Sequence, residues 1–225
     1  MKNIIITGTS RGIGLEMALL FAKNGHQVLA LSRTVSTVLA NNANIHNLST
    51  DLSNAEDLEK VMQYVSENWL QVDAMIHNAG ALVLKPFAET TAADFQNIYN
   101  VNVFGVANLT RAVLPMLKKG SHVVSISSMG GIQGSAKFAG LSAYSSSKGA
   151  LITLSELLAE EFKDQGIAFN VLALGAVNTE MLATAFPGYE APLSAAEMAQ
   201  YIFDFTMTGN KFFNGKVLQV SASTP

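Results

Sequence analysis

Tyr144 and Lys148, four residues apart in the run Tyr144-Ser145-Ser146-Ser147-Lys148, are the side chains most plainly suited to chemistry. The segment that Tyr144 opens carries Leu151, Ile152, Leu154, Ser155 and Leu158, a pattern that predicts a helix to about Lys163. Residues four apart on a helix share a face, so the Lys148 ammonium can stand beside the Tyr144 phenol. A free phenol titrates near ~10, too high for ready proton exchange at neutral pH. A neighbouring cation favours phenolate, so the pair is expected to draw the Tyr144 pKa down toward the working range. Upstream, Val123-Val124-Ser125-Ile126-Ser127-Ser128 reads as a buried strand ending in hydroxyls. A hydroxyl there, Ser128 with Ser127 as its rival, could grip a carbonyl oxygen while Tyr144 protonates it.

Such a constellation needs a scaffold, and the hydropathy pattern describes one. Short apolar runs predict strands at residues 3–7, 27–31, 45–48, 72–77, 123–128, 167–174 and 217–220. Helical periodicity falls between them, from Ile13 to a stop at Asn24-Gly25, from Asp57 to Trp69, from Tyr144 to Lys163 and from Ala195 to Phe205. Residues 95–117 read as one long helix in which Pro115 marks fraying or a kink. Strict alternation of strand and helix predicts an α/β fold: a doubly wound, Rossmann-type parallel sheet with helices on both faces. With 225 residues, 49% of them apolar, the chain suffices for one well-cored domain over 1–225. Two long connections, 129–142 and 178–193, follow strands and are expected to frame a substrate pocket, because ligands in such folds bind beyond the carboxyl ends of strands.

Between the first strand and the first helix lies Thr7-Gly8-Thr9-Ser10-Arg11-Gly12-Ile13-Gly14. Glycines there permit a tight turn, backbone approach to a pyrophosphate and close helix–strand packing, while the helix start offers free N–H groups to phosphate. A nucleotide cofactor with a free 2′-hydroxyl calls for an acid about 20 residues further on. Residues 31–36 are Leu-Ser-Arg-Thr-Val-Ser. With no acid present, Ser32 and Arg33, joined by Arg11, are expected to hold a 2′-phosphate instead, which selects NADP(H).

In order along the chain, Thr7-Gly8-x3-Gly12-Ile13-Gly14, Asp51, Asn78-Ala79-Gly80, Asn102 with Gly105, Ser128, Tyr144-x3-Lys148 and Gly175-x-Val177-x-Thr179 resemble the short-chain dehydrogenase/reductase family. The resemblance covers essentially the whole chain. It implies that Tyr144 is the general acid/base, that Lys148 tunes it and holds the nicotinamide ribose, and that Ser128 binds the substrate carbonyl. It further implies that Asn102, with Asn100 competing, orients a water leading from Lys148 to solvent. Gly8, Ser10, Arg11, Gly12, Ile13, Gly14, Ser32, Arg33, Asp51, Leu52, Asn78, Ala79, Gly80, Gly175, Val177 and Thr179 would contact the cofactor, Asp51 at its adenine and Val177 with Thr179 at its carboxamide.

Three departures stand out. Ser128 and Tyr144 are sixteen residues apart, more than the family's usual spacing, implying an insertion around Gly134–Gly140 or a contribution from Ser127 or Ser135. Leu174 stands where the family usually has proline and is expected to loosen the approach to Gly175. His77 replaces a frequent asparagine and reads as structural.

The remaining inferences concern class. No cysteine is present, so disulfides, thiolate metal sites and cysteine nucleophiles are excluded. Net charge is −3 with no basic block, which argues against a nucleic-acid partner. No apolar run nears the ~18 residues of a membrane span, and a cytoplasmic location is expected. No metal-ligand cluster is evident. Met129, Ile132, Phe138, Leu141, Met181, Leu182, Phe186 and Tyr189 predict a pocket for a carbonyl or alcohol substrate with an apolar body. Apolar residues around much of helices 95–117 and 144–163 predict a homodimer or homotetramer. The alternative function is a non-catalytic NADP(H)-binding sensor or scaffold of the same fold.

Overall fold

Ile4, Ile5 and Ile6 are each fully buried, which an alternating half-exposed strand would not allow. They lie in β1 (Asn3–Thr7), near the middle of a computed structural model that describes residues 1–221. The other strands are β2 (Gln27–Ser32), β3 (Ile45–Ser49), β4 (Val72–His77), β5 (Leu117–Ser128), β6 (Ala168–Leu174) and β7 (Val217–Val220). All pair in parallel, in the order β3-β2-β1-β4-β5-β6-β7. Chain order reverses between β1 and β4, so the connections that follow these two strands diverge and leave a crevice at their carboxyl ends.

The helices are α1 (Gly12–Lys23), α2 (Ala55–Asn68), α3 (Ala92–Tyr99), α4 (Gly105–Val113), α5 (Ser142–Glu161), α6 (Glu180–Ala185) and α7 (Ala195–Thr208). One core layer packs Met17 and Phe21 of α1 and Met198 and Ile202 of α7 on Ile4, Ile6 and Val124. The opposite layer packs Val61 and Val65 of α2, Leu109 and Val113 of α4 and Ala159 of α5 on Ile5, Met75 and Val123. Helices thus cover both faces, and the sheet presents only its carboxyl-end rim to the site.

The segment expected as one helix over 95–117 is divided. It starts earlier, at Ala92, because Thr91 and Asp94 form a reciprocal capping box that satisfies the first N–H groups. Residues Asn100–Phe104 form a π turn, one residue too many for regular α-helix. The helix stops at Val113, where Pro115 cannot donate to the ladder, and Leu117 is already in β5, paired with Val72. β5 therefore begins six residues before the expected Val123. Within the expected loop 178–193 the chain forms the short helix α6, capped by the Thr179 hydroxyl accepting from Leu182 N.

Candidate active site

The phosphate-loop glycines are where the backbone requires them. Gly8 has φ +76° and a Cβ there would meet Ala79 Cα at 2.8 Å. At Gly14 a Cβ would fall 2.1 Å from the Gly8 carbonyl oxygen. Thr7, which the sequence reading passed over as a functional residue, stitches this turn to the end of β4. Its hydroxyl accepts from Asn78 N at 3.0 Å and Ala79 N at 2.9 Å. Asn78 returns the contact, Nδ2 donating to the carbonyls of Thr7 at 3.0 Å and Gly8 at 3.3 Å. The Asn78 amide is therefore engaged with backbone. α1 begins without a side-chain cap from Arg11 and without an acid in its first turn. Its opening N–H groups thus remain available to an anion.

At the end of β2, Ser32 is buried and donates to Thr34 O at 2.8 Å, while Arg33 is exposed. Asp51 Oδ1 accepts from Ser53 N at 2.9 Å and Ser53 Oγ at 2.6 Å. These bonds hold its carboxyl below the usual range, with a smaller contribution from Arg33. Among the described residues neither Arg11 nor Arg33 joins an ion pair.

At the other end of the crevice stand the hydroxyls and the amine. Ser128 closes β5, and its side chain is hydrogen-bonded to Tyr144 and accepts from Gly130 N at 3.2 Å. Ser127, the rival, faces away: its hydroxyl donates to Lys148 O at 3.0 Å in a buried contact. Ser135 staples its own loop, donating to Met129 O at 2.6 Å. Lys148 is only 4% exposed, its Nζ donates to Ile126 O at 2.8 Å and lies 5.8 Å from the Tyr144 ring centroid. The amine is thus close to the ring, as the spacing predicts, but its electrostatic effect is not the one expected. Burial pushes the Tyr144 phenol above its ordinary value, with the Ser128 hydrogen bond pulling the other way. Desolvation also pushes Lys148 down to about 8, so burial shifts the two groups in opposite directions, the phenol up and the ammonium down.

Asn102 is fully buried inside the π turn. Its amide clips the chain after β4, accepting from Ala81 N at 2.8 Å and donating to Ala81 O at 2.9 Å and Ser147 Oγ at 2.9 Å. Asn100, its competitor, lies on the exposed side and accepts from Gln96 at 2.7 Å. Ser147 passes the contact on to Tyr144 O at 2.7 Å and so ties Asn102 to α5. Its place inside the Tyr144–Lys148 interval was the one signal that could have singled it out.

Gly175, Val177 and Thr179 form the far lip beyond β6. Leu174 lengthens the strand rather than loosening it: it pairs with both Ser128 and Val220, and Gly175 N donates to Val220 O at 2.9 Å. A proline at 174 would lack the N–H that a central strand uses. One cavity of ≈ 750 Å³ joins all these parts, from Arg33 at one end to Tyr189 at the other. Every site residue expected from sequence borders it except Gly14 and Asn102, which stand behind its wall. Of the expected apolar lining only Ile132 is absent; Leu82, Val101 and Ala185 join instead.

A parallel sheet with a glycine cradle at its switch point, and a serine, tyrosine and lysine on the neighbouring strand and helix, define a nucleotide-binding oxidoreductase. The comparisons narrow the class. The model of the short chain dehydrogenase family matches residues 2–190, and the chain belongs to that family. An NADPH-dependent pterin aldehyde reductase of Arabidopsis thaliana is 31% identical over 223 residues, covering 93% of this chain and 90% of that protein. The crystal structure of a short chain dehydrogenase from Salmonella enterica serovar Typhi superposes with a TM-score of 0.86 at 29% identity, covering 97% of this chain and 95% of that one. A structure of ElxO with NADP bound superposes with a TM-score of 0.84 at 27% identity, over 98% of this chain and 97% of the other.

Proposed function

We propose that the chain is an NADP(H)-dependent carbonyl reductase, interconverting a ketone or aldehyde and the corresponding alcohol. The observation that carries this reading is the convergence of Ser128, Tyr144 and Lys148 on the same cavity as the glycine cradle. The residues fit a dinucleotide: a Cβ at Gly8 or Gly14 would fill the cradle, and α1 leaves its first N–H groups to an outside anion. Arg33, Arg11 and Ser32 favour a 2′-phosphate, since a guanidinium fork donates two bonds to one phosphate and no acid competes at the end of β2. The relative and the structural neighbour that carry NADPH and NADP in their names add to this preference.

A nicotinamide cofactor held in the cradle would supply the hydride. Ser128 holds the carbonyl oxygen against the phenol. Tyr144, kept protonated by burial, places its proton on that oxygen as negative charge develops there. Lys148, with a pKa of about 8, is close enough to neutrality to return a proton to the phenolate. Asn102 and Ser147 fix the helix turn that carries both groups. Met129, Phe138, Leu141, Met181, Leu182 and Phe186 give the remaining wall an apolar surface suited to a substrate with a hydrophobic body. A cytoplasmic homodimer or homotetramer completes the reading, with the exposed Phe104 and Leu157 as the apolar surface to be covered.

The test is oxidation of NADPH against a panel of ketones, aldehydes and quinones. Tyr144→Phe is expected to lose about 10²–10⁴-fold in turnover while still binding NADPH. Arg33→Ala is expected to cost about tenfold or more of the preference for NADPH over NADH. A wild-type chain that binds NADPH and turns over nothing on the panel would favour the sensor or scaffold instead.

A further inference from the structure

Glu180 places an acid at the cradle end of the cavity. It borders the same cavity as Arg11 and Gly12. A methyl group built on Gly12 would stand 3.5 Å from Glu180 Oε2 and 3.6 Å from Thr179 Cγ2. The carboxylate therefore lies against the first residue of α1, beside the cradle itself. Arg11 supplies no cap and the first turn of α1 contains no acid, so Glu180 adds a negative charge beside a helix start that has none of its own. It also begins α6, with Thr179 as cap. In the bare chain that position is favourable. With a pyrophosphate in the cradle the same carboxylate would face a like charge of greater magnitude.

Resting on the reading of this cradle as the dinucleotide site, we infer that the Glu180 carboxylate weakens cofactor binding, because it stands as a like charge beside the place the pyrophosphate takes. The residue acts against affinity and in favour of release. A merely structural cap of α6 would instead leave cofactor affinity untouched when its charge is removed.

The experiment is a fluorescence titration of NADPH into wild type, Glu180→Gln and Glu180→Ala, each checked by thermal melting without ligand. Both variants keep the fold, since the side chain is exposed, and both are expected to bind NADPH about two- to fivefold more tightly, the size of one exposed charge interaction. Adenosine 2′-monophosphate, which has the 2′-phosphate and no pyrophosphate, is expected to bind all three proteins equally. Equal or weaker NADPH binding by Glu180→Gln overturns the inference and leaves the cofactor reading standing. A wild-type chain that binds neither NADPH nor NADH overturns the cofactor reading first, and the inference with it.

Discussion

Lys148 is the residue whose surroundings demand most of it. An ammonium at 4% exposure has lost nearly all its water and has Ile126 O as its recorded hydrogen-bond acceptor. Its pKa falls from 10.5 to about 8, and each unit of such a shift is worth ~1.4 kcal/mol against the charged form. Below pH 8 the lysine is charged in both folded and unfolded chains and the full cost applies; the cost fades as pH rises toward 10.5. Lys148→Met is therefore expected to raise stability at pH 7 by about 1–2 kcal/mol, part of the gain being offset by the lost hydrogen bond. Turnover should collapse in the same protein. Urea unfolding of both chains from pH 7 to 10 checks the sign, since the difference must shrink as pH rises. In the reductive direction, kcat/KM of the wild type is expected to fall above about pH 8. What sequence made legible at this scale was proximity: Tyr144, Lys148 and Ser128 were found by type and spacing. The direction of the phenol's shift was not legible, because desolvation depends on packing from β5 and the 129–131 turn, which no local spacing reports. The backbone bonds made by the amides of Asn78 and Asn102 were not legible either, since their partners, Thr7 and Gly8 for one and Ala81 for the other, lie elsewhere in the chain.

Among the elements, the turn between β1 and α1 is the least forgiving. Gly14→Ala would drive a methyl group onto the Gly8 carbonyl and the Asn78 amide, with 2.1 and 2.6 Å to those atoms. The neighbours are backbone and a doubly bonded side chain, so relief requires the turn to open. Destabilisation of about 2–3 kcal/mol by urea unfolding, together with weakened NADPH binding, is the expected outcome. An unchanged unfolding midpoint would show that the turn yields. The glycine pattern was readable in the sequence, as was the presence of all seven strands. The segment 92–116 was not. Its apolar pattern fits a helix throughout, and nothing local distinguishes the π turn, or reveals that Leu117 is claimed by a partner strand forty-five residues earlier at Val72. Long-range register decides such ends, and periodicity is blind to it.

For the whole molecule, two of the exposed apolar side chains lie on the long helical segments beside the site. Phe104 is 47% and Leu157 62% exposed, one just before α4 and the other on α5. Light scattering is expected to give two or four times the chain mass of 23.9 kDa, and a single-chain particle at working concentration would contradict association. The fold class, the order of strands and helices and the ends of the cavity could all be reasoned from the chain; the division of the crevice between two halves of the sheet could only be seen. That division has a further consequence. The cradle belongs to β1 and the proton-handling groups to β5 and α5, and between β1 and β4 the register is three residue pairs, Ile4↔Ala74, Ile5↔Met75 and Ile6↔Ile76. None of these buried side chains borders the cavity, yet they set the span between the two stations of the reaction. A change of girth at Ile5 or Met75 would leave every reactive group intact and still put them out of alignment.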